Sequence, residues 1–409
     1  MKVSVLGLGY IGLPTSALIA SKGVHVVGVD VNQFIVNTVG KGAIHFVEPD
    51  LEGLVFHVVR SGLLQTSDQP QKSDVFLVTV PTPFKENYMP DLTYVTKAID
   101  MIIPHLEEQN LVILESTSPV GTTQKMYQNI LKKKPSLKNK FFMAYCPERV
   151  LPGKILYELE HNDRVIGGID PESTEKAQDF YSNFVKGHLH KTDANTAELC
   201  KLVENAYRDV NIAFANELSI ICDQMNVNVW ELIKLANQHP RVNILLPGVG
   251  VGGHCIAVDP WFIISHFQDQ TKLMKTARQV NTEKTNWVIN KIINELNIWQ
   301  SNNSGREPKI LLFGLTYKPD IDDLRESKAL SIAKAVTKRF PQTISIEPNL
   351  SDKQIENMTD INIVNSKVIE QYFHDADILI FLVKHRAFMK VNQSFFKNKT
   401  ILDFCGLLS

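Results

Sequence analysis

Two stretches of alternating short apolar strands and helices, separated by about a hundred residues of helical periodicity, predict the fold class. The chain reads as α/β, with two Rossmann-like doubly wound domains joined by a central helical domain that contains a long helix. Three observations carry this. A Gly-rich turn separates the first apolar run from the first helical stretch, residues 196–225 contain neither Gly nor Pro, and the strand–helix alternation restarts after the polar segment SNNSGREP at 301–308. The predicted divisions are 1–193, 194–300 and 308–409.

Composition narrows the class of function. At 409 residues the chain exceeds what one hydrophobic core usually holds, and 44% hydrophobic with 21% charged residues is an ordinary globular balance. Forty-three basic residues against 44 acidic ones leave a net charge of -1, which favours neither nucleic acid nor an anionic membrane as a partner. The five cysteines are odd in number and lack paired CxxC spacing, so neither a disulfide framework nor a metal site is expected, and a reducing cytoplasm fits. MKVSVLGLG runs straight into a strand-like pattern with no apolar leader, and no run of about 18 apolar residues follows, so export and membrane anchoring are not expected.

The first element, KVSVL at 2–6, leads into Gly7-Leu-Gly9-Tyr10-Ile11-Gly12 and a helical LPTSALIASKG, and the next strand, HVVGVD, ends at Asp30. Strand, glycines, helix, strand and terminal acid in this order are a dinucleotide fingerprint. Gly7 makes the turn, Gly9 admits the pyrophosphate, Gly12 lets helix and strand pack, and the phosphates face the helix N-terminus. Asp30 falls where a carboxylate accepts from the adenosine ribose 2′-OH, which selects NAD over NADP. DVFLVTV at 74–80 ends at Pro81-Thr82-Pro83, and LVILEST at 111–117 ends at Thr117; both place polar groups at the carboxyl ends of strands, where ligands bind in open α/β sheets. FFMAY at 141–145 leads to Cys146-Pro147-Glu148-Arg149, with Glu148 toward the same crevice, and RVIGGI followed by STEKAQDFYSNFV closes the domain.

The long helix over 196–225 carries Lys201, Asn205 and Arg208 at i, i+4 and i+7, one polar stripe in an apolar helix. VNVWELIKLANQ is a second helix and leads to His239-Pro240-Arg241-Val242-Asn243. Then comes Pro247-Gly-Val-Gly-Val-Gly-Gly-His-Cys-Ile-Ala-Val-Asp259, in which four glycines surround a lone thiol. Ordering glycine is entropically costly, so the cluster implies a tight turn or a backbone lying against a ligand. Cys255, among backbone amides and polar groups, reads either as a nucleophile activated by a lowered thiol pKa or as a buried structural cysteine in a Gly-rich surface turn, and Asp259 is within its reach if the segment opens a helix. After a helix over 271–300 come KILLFGL (309–315), a loop bearing Lys318, Asp322, Asp323 and Arg325, helix ALSIAKAVTKRF, and strands TISIEP, DADILIFLV and KTILDF: a second Rossmann-like unit without the full glycine fingerprint. The charged loop suits phosphates and sugar hydroxyls.

These motifs, GLGYIG, EST (115–117), PER (147–149), the Lys201/Asn205 helix, GGHCIAVDP (252–260) and FGLTYKPDIDDLRES (313–327), resemble the UDP-glucose/GDP-mannose dehydrogenase superfamily over essentially the whole chain. HPRVNIL and GHCIAVDPWF are similar to its UDP-N-acetyl-D-mannosamine dehydrogenase branch. The resemblance implies a four-electron oxidation of the C6 hydroxyl of UDP-N-acetyl-D-mannosamine by two NAD+, through a Cys255 thiohemiacetal and thioester, for surface polysaccharide biosynthesis. It assigns oxyanion stabilisation to Lys201 and Asn205, proton handling to Asp259 with Lys201, and positioning of water or nicotinamide to Glu148 and Thr117. Gly7, Gly9, Tyr10, Ile11, Gly12, Asp30, Thr82, Thr117 and Arg325 would contact the cofactor. Glu148, Arg149, Lys201, Asn205, Arg208, Arg241, Asn243, Gly252 and Lys318 would contact the UDP-sugar.

A homodimer on the long helix is implied as well. The gluco or galacto epimer of the UDP-HexNAc, or a nucleotide-sugar-binding remnant without turnover, are the alternatives. The chain departs from the family pattern at Pro152-Gly153, where the UDP-glucose branch has a second acid, at Val249 in place of a proline, and at Cys405-Gly406, where relatives place Lys or Arg before the glycine and extend further.

Overall fold

The computed structural model describes the chain except residues 86–88, 152, 254 and 366–368 and the side chains of 369–370. Pro152 and His254, each inside a motif of the sequence, therefore lie outside the described residues. The polypeptide forms two compact units, Met1–Glu204 with Trp261–Ser265, and Asn205–Pro260 with His266–Ser409.

The first unit is built on eight strands: β1 Lys2–Leu6, β2 His25–Val29, β3 Leu64–Ser67, β4 Val75–Val78, β5 Leu111–Leu114, β6 Phe142–Tyr145, β7 Arg164–Gly168 and β8 Leu189–Asp193. Their order is β3-β2-β1-β4-β5-β6-β7-β8, parallel throughout except for β6 against β7. Strands buried on both faces need no polar alternation, which is why β4 and β5 read as continuous apolar runs. Val75 and Leu77 pack on one face with Leu13 and Ala17 of the helix Gly12–Ser21. Phe76 and Val78 pack on the other face with Val95, Ile99 and Ile130. The order reverses between β1 and β4, and the Gly-rich turn after β1 sits at that reversal, the place where open α/β sheets bind ligands.

The second unit carries a five-stranded parallel sheet of β9 Ile310–Phe313, β10 Ile344–Ile346, β11 Asn362–Val364, β12 Ile378–Phe381 and β13 Thr400–Asp403, in the order β11-β10-β9-β12-β13. It repeats the 3-2-1-4-5 winding of the first sheet. One face packs Ile310, Leu312 and Ile380 against Val288, Ile292 and Leu296 of the helix Lys272–Asn302. The opposite face is aromatic, with Phe313 stacked on Phe381 at 4.5 Å between ring centroids.

The long helix expected over 196–225 runs from Ala194 to Gln224. Asp193 accepts the Thr196 amide at 3.0 Å at its start, and Asn226 takes a left-handed φ of 54° just past its end, a conformation Asn tolerates. The polar segment 301–308 is not loose: the helix before it continues to Asn302, and Arg306 makes two hydrogen bonds to Asp377, at 2.9 and 2.8 Å.

Candidate active site

The turn after β1 is shaped by close packing. Gly7 has φ +96° and donates its amide to Val29 O at 2.8 Å. A Cβ on Gly12 would lie 1.8 Å from Gly7 O and 2.4 Å from Thr79 Oγ1, so only glycine lets the helix begin there. Gly9 differs: among the described residues its Cβ would meet nothing within 4 Å, so close packing does not account for a glycine at that position. The helix Gly12–Ser21 begins at Ile11 without a side-chain cap and without an acid in its first turn. An uncapped helix N-terminus beside a bare Gly9 backbone fits a pyrophosphate.

Asp30 follows β2, and both its oxygens are held, Oδ2 by Leu8 N and Oδ1 by Asn32 N, each at 2.9 Å. This aims the carboxylate at the turn with lone pairs left for a ribose hydroxyl. Tyr10 stacks on Phe46 at 4.3 Å. Thr82 is buried and Thr117 half-buried, each beyond the carboxyl end of its strand, and Ser116 Oγ ties the two ends together by donating to Val80 O at 2.7 Å.

Glu148 is half-buried after β6, with the Val150 amide on its carboxylate. Burial pushes its carboxyl above the usual range, and the Lys201 ammonium opposes that shift. Lys201 Nζ donates to Glu148 O at 2.6 Å, so helix and loop share one polar contact. Arg149 is engaged by Glu204, through Nε at 3.2 Å and Nη2 at 2.5 Å.

Two acids that sequence reasoning missed shape this region. Glu48 accepts the amides of Gly153 and Ile155, both at 2.8 Å, and thereby fixes the loop after Glu148. Glu198 accepts Gly121 N at 2.6 Å and Thr123 N at 2.7 Å, capping the helix Thr122–Lys133. Beneath the sheet ends, Tyr181 donates to buried Glu115 at 2.5 Å beside Arg164, and burial there pushes the Cys146 thiol up to about 11.

In the second unit Cys255 is exposed, whereas Cys146 and Cys222 are buried and Cys200 and Cys405 half-buried. Cys255 O accepts Val258 N at 3.0 Å and Asp259 N at 2.8 Å, one helical turn that leads into the helix Asp259–Ile264. The turn expected from the sequence is therefore present. Asn205 Nδ2 donates to Asp259 Oδ2 at 2.5 Å, and Asp259 is buried, so its carboxylate is oriented by the long helix. A Cβ on Gly252 would lie 2.6 Å from Glu326 O, so the glycine segment lies flat on the 315–327 loop. Lys318 is half-buried in that loop, and its carbonyl accepts Thr316 Oγ1 at 3.0 Å. Arg325 lies on Asp323, with Nη2 to Oδ2 at 2.6 Å. Arg208, Arg241 and Asn243 are exposed.

The second unit also echoes the acid after β2. Gly314 has φ +90°, and Leu315 N donates to Glu347 Oε2 at 2.7 Å, as Leu8 N does to Asp30. Here, however, the acid is fully buried and bonded to His385 Nε2 at 3.1 Å. His385 Nδ1 faces the Asp320 amide at 3.0 Å and so accepts, which leaves the ring proton on Nε2 to donate to Glu347. Asp30 retains capacity for a ligand; Glu347 is satisfied within the protein.

Fold and site define an NAD-dependent dehydrogenase with a second nucleotide-type domain. The NAD binding domain of the UDP-glucose/GDP-mannose dehydrogenase family matches residues 1–185, the family's central domain 195–283 and its UDP binding domain 311–409. The chain belongs to that family and is an NAD-dependent nucleotide-sugar dehydrogenase. It is 47% identical to the UDP-N-acetyl-D-mannosamine dehydrogenase of Yersinia pestis, with 99% of this chain and 98% of that one covered. It is 46% identical to an NDP-N-acetyl-D-galactosaminuronic acid dehydrogenase of Ralstonia nicotianae, covering 100% of this chain and 96% of the relative. Among solved structures, the UDP-N-acetyl-mannosamine dehydrogenase of Staphylococcus aureus superposes with a TM-score of 0.86 at 38% identity, over 100% of this chain and 95% of that one. Among the described residues, no helix is long and apolar enough to cross a membrane.

Proposed function

We propose that the protein oxidises the C6 hydroxyl of UDP-N-acetyl-D-mannosamine to the carboxylate, giving UDP-N-acetyl-D-mannosaminuronate for surface polysaccharide biosynthesis. The observation that carries the reading is an exposed Cys255 opening the turn to a buried, Asn205-bonded Asp259, in a chain about as similar to named UDP-N-acetyl-D-mannosamine dehydrogenases as to any relative considered. When bound, NAD+ supplies the hydride acceptor for both oxidations. Gly7, Gly9, Tyr10, Ile11, Gly12, Asp30, Thr82 and Thr117 hold it, with Arg325 reaching it as well.

Cys255 adds its sulfur to the C6 aldehyde while a proton passes to the carbonyl oxygen, forming a thiohemiacetal. Loss of a hydride and a proton leaves a thioester; water then adds at the acyl carbon, the C–S bond breaks, and the thiolate departs. Sulfur suits both halves because it adds readily to a carbonyl and leaves readily from an acyl group. Lys201 and Asn205 donate to the oxygen on which charge develops, an effect of about 3–4 kcal/mol per well-placed donor. Asp259, with Lys201, takes and returns the protons. Glu148, whose carboxyl is pushed above the usual range by burial, positions the water, and Thr117 the nicotinamide side. Arg149, Arg208, Arg241, Asn243, Gly252 and Lys318 hold the sugar and diphosphate.

The divisions 1–193, 194–300 and 308–409 are taken as NAD, central and UDP-sugar domains. A homodimer is supported by Tyr207, Phe214 and Ile221, exposed apolar residues seven apart along one face of the long helix. A cytoplasmic location suits five free cysteines. Comparing kcat/KM for UDP-N-acetylmannosamine, its gluco and galacto epimers and UDP-glucose tests the substrate. The manno epimer is expected to lead by at least about tenfold, the scale of one mispaired buried polar contact. Preference for the galacto epimer would move the reading to the chemistry named for the Ralstonia relative.

A further inference from the structure

The glycine-rich segment before Cys255 is anchored at successive residues by side chains that no reading of the reaction uses. Asn216, on the long helix, is fully buried; its Oδ1 accepts Gly248 N at 2.9 Å and its Nδ2 donates to Asn281 Oδ1 at 2.8 Å. Asn281 Nδ2 in turn donates to Asp209 O at 3.1 Å and Oδ1 at 2.7 Å, and Asp209 Oδ1 also takes Arg278 Nη1 at 2.6 Å.

The direction of this chain is fixed from its far end. A backbone carbonyl only accepts, so Asn281 must present its NH2 to Asp209 and its oxygen to Asn216, which leaves the Asn216 oxygen for the Gly248 amide. One residue further on, Thr285 Oγ1 donates to Val249 O at 2.9 Å. Gly250 has φ +121°, and a Cβ there would fall 2.3 Å from Thr285 Oγ1, so the backbone lies directly on the hydroxyl. Beyond it, Gly253 has φ +83°, its Cβ position is 2.7 Å from the Tyr317 ring, and its amide donates to Arg325 O at 3.2 Å.

We infer that Asn216 and Thr285 are positioning residues for Cys255: they pin the base of the glycine-rich segment to the two long helices, so the thiol meets the C6 carbon from an ordered loop. Six glycine-rich residues without such anchors would sample many backbone states, and the sulfur would reach attacking distance in only a fraction of them. Neither residue touches the reacting atoms. The inference rests on Cys255 being the nucleophile.

The test uses the full-length enzyme with UDP-N-acetylmannosamine and NAD+. Thr285→Val keeps the shape and removes the donor; kcat is expected to fall about tenfold with KM for both ligands held within about twofold, the signature of a lost alignment rather than lost binding. Free aldehyde, trapped with semicarbazide, is expected to rise, and Thr285→Ser to restore both readings. Asn216→Ser, which withdraws the acceptor from Gly248, is expected to give the same pattern. Iodoacetamide labelling of the Cys255 peptide, followed by mass spectrometry, needs no substrate; its rate should shift by at least about threefold in Thr285→Val and return in Thr285→Ser.

Wild-type kcat, aldehyde and labelling rate in Thr285→Val overturn the inference. So does a parallel loss of kcat and both KM values that Ser does not rescue. If the unaltered enzyme makes only one NADH per sugar, the proposed reaction fails separately, and the labelling comparison alone decides whether Thr285 positions the thiol.

Discussion

Lys284 gives the sharpest stability prediction. It is 2% exposed in the helix Lys272–Asn302, with Nζ 2.8 Å from Ser219 Oγ and 3.9 Å from the centroid of the Trp287 ring. The Asp223 carboxylate favours its charge but is itself bonded to Lys291 at 3.2 Å, and burial dominates, lowering the Lys284 pKa from 10.5 to about 7. A folded pKa below the unfolded one means that the unfolded chain holds more protons between about pH 7 and 10.5, so stability rises with pH across that window. The full depression corresponds to about 5 kcal/mol, and the portion expressed between about pH 6.5 and 8.5 is about 2 kcal/mol. For a folding unit of this size, that is about 4–8 °C in Tm.

Lys284→Met removes the titration and keeps the packing. Thermal unfolding of both proteins at the two pH values isolates the effect, since every other group titrates in both. Wild type should gain on Lys284→Met nothing at low pH and close the gap at high pH: the variant is expected to be the more stable near pH 6.5, with the difference shrinking by about 2 kcal/mol by pH 8.5. Two curves that run parallel across that range would refute a lysine buried with a depressed pKa.

Three further outcomes follow from the first unit. Gly12→Ala places a methyl 1.8 Å from Gly7 O, so NAD+ binding measured by calorimetry should be lost or the protein should not fold, whereas Gly9→Ala, which meets nothing in the protein, should fold normally and still bind NAD+ at least about tenfold more weakly. Asp30→Ser removes the ribose acceptor and should raise KM for NAD+ while narrowing its advantage over NADP+; an unchanged cofactor ratio would count against that role. Glu48→Gln leaves one of the Gly153 and Ile155 amides facing an NH2 group, and should destabilise the first unit by about 1–3 kcal/mol in denaturant unfolding, with an effect near zero contradicting the burial of that carboxylate.

What the sequence made legible were features whose meaning is local. Gly7, Gly9, Gly12 and Asp30 declare themselves because a strand, a turn and a helix in fixed order leave little choice of geometry, and the four-residue spacing from Cys255 to Asp259 becomes a turn only because the segment opens a helix. The acids that fix the loops around these residues did not show. Glu48 caps amides 105 and 107 positions away and Glu198 reaches back 75 and 77, and nothing in a single chain marks which distant N–H a carboxylate will meet. Strands β3, β8 and β11 are not legible for a different reason: each is an edge strand, LQTS and LHKTD carry half-exposed polar residues, NIV is only three residues long, and none has the apolar run that identifies a buried strand. Arg149 and Arg325 read as ligand-binding cations from type and motif, yet each lies on an acid, Glu204 and Asp323, the latter only two residues away.

The measurement that bears most directly on the proposed chemistry is the NADH formed per UDP-N-acetylmannosamine consumed, in the unaltered enzyme and in Cys255→Ser. Two NADH per sugar and the uronate as product are expected, with Cys255→Ser stalled before acid release. One NADH with accumulating aldehyde, or a Cys255→Ser variant that still delivers two, would contradict the role given to the exposed thiol.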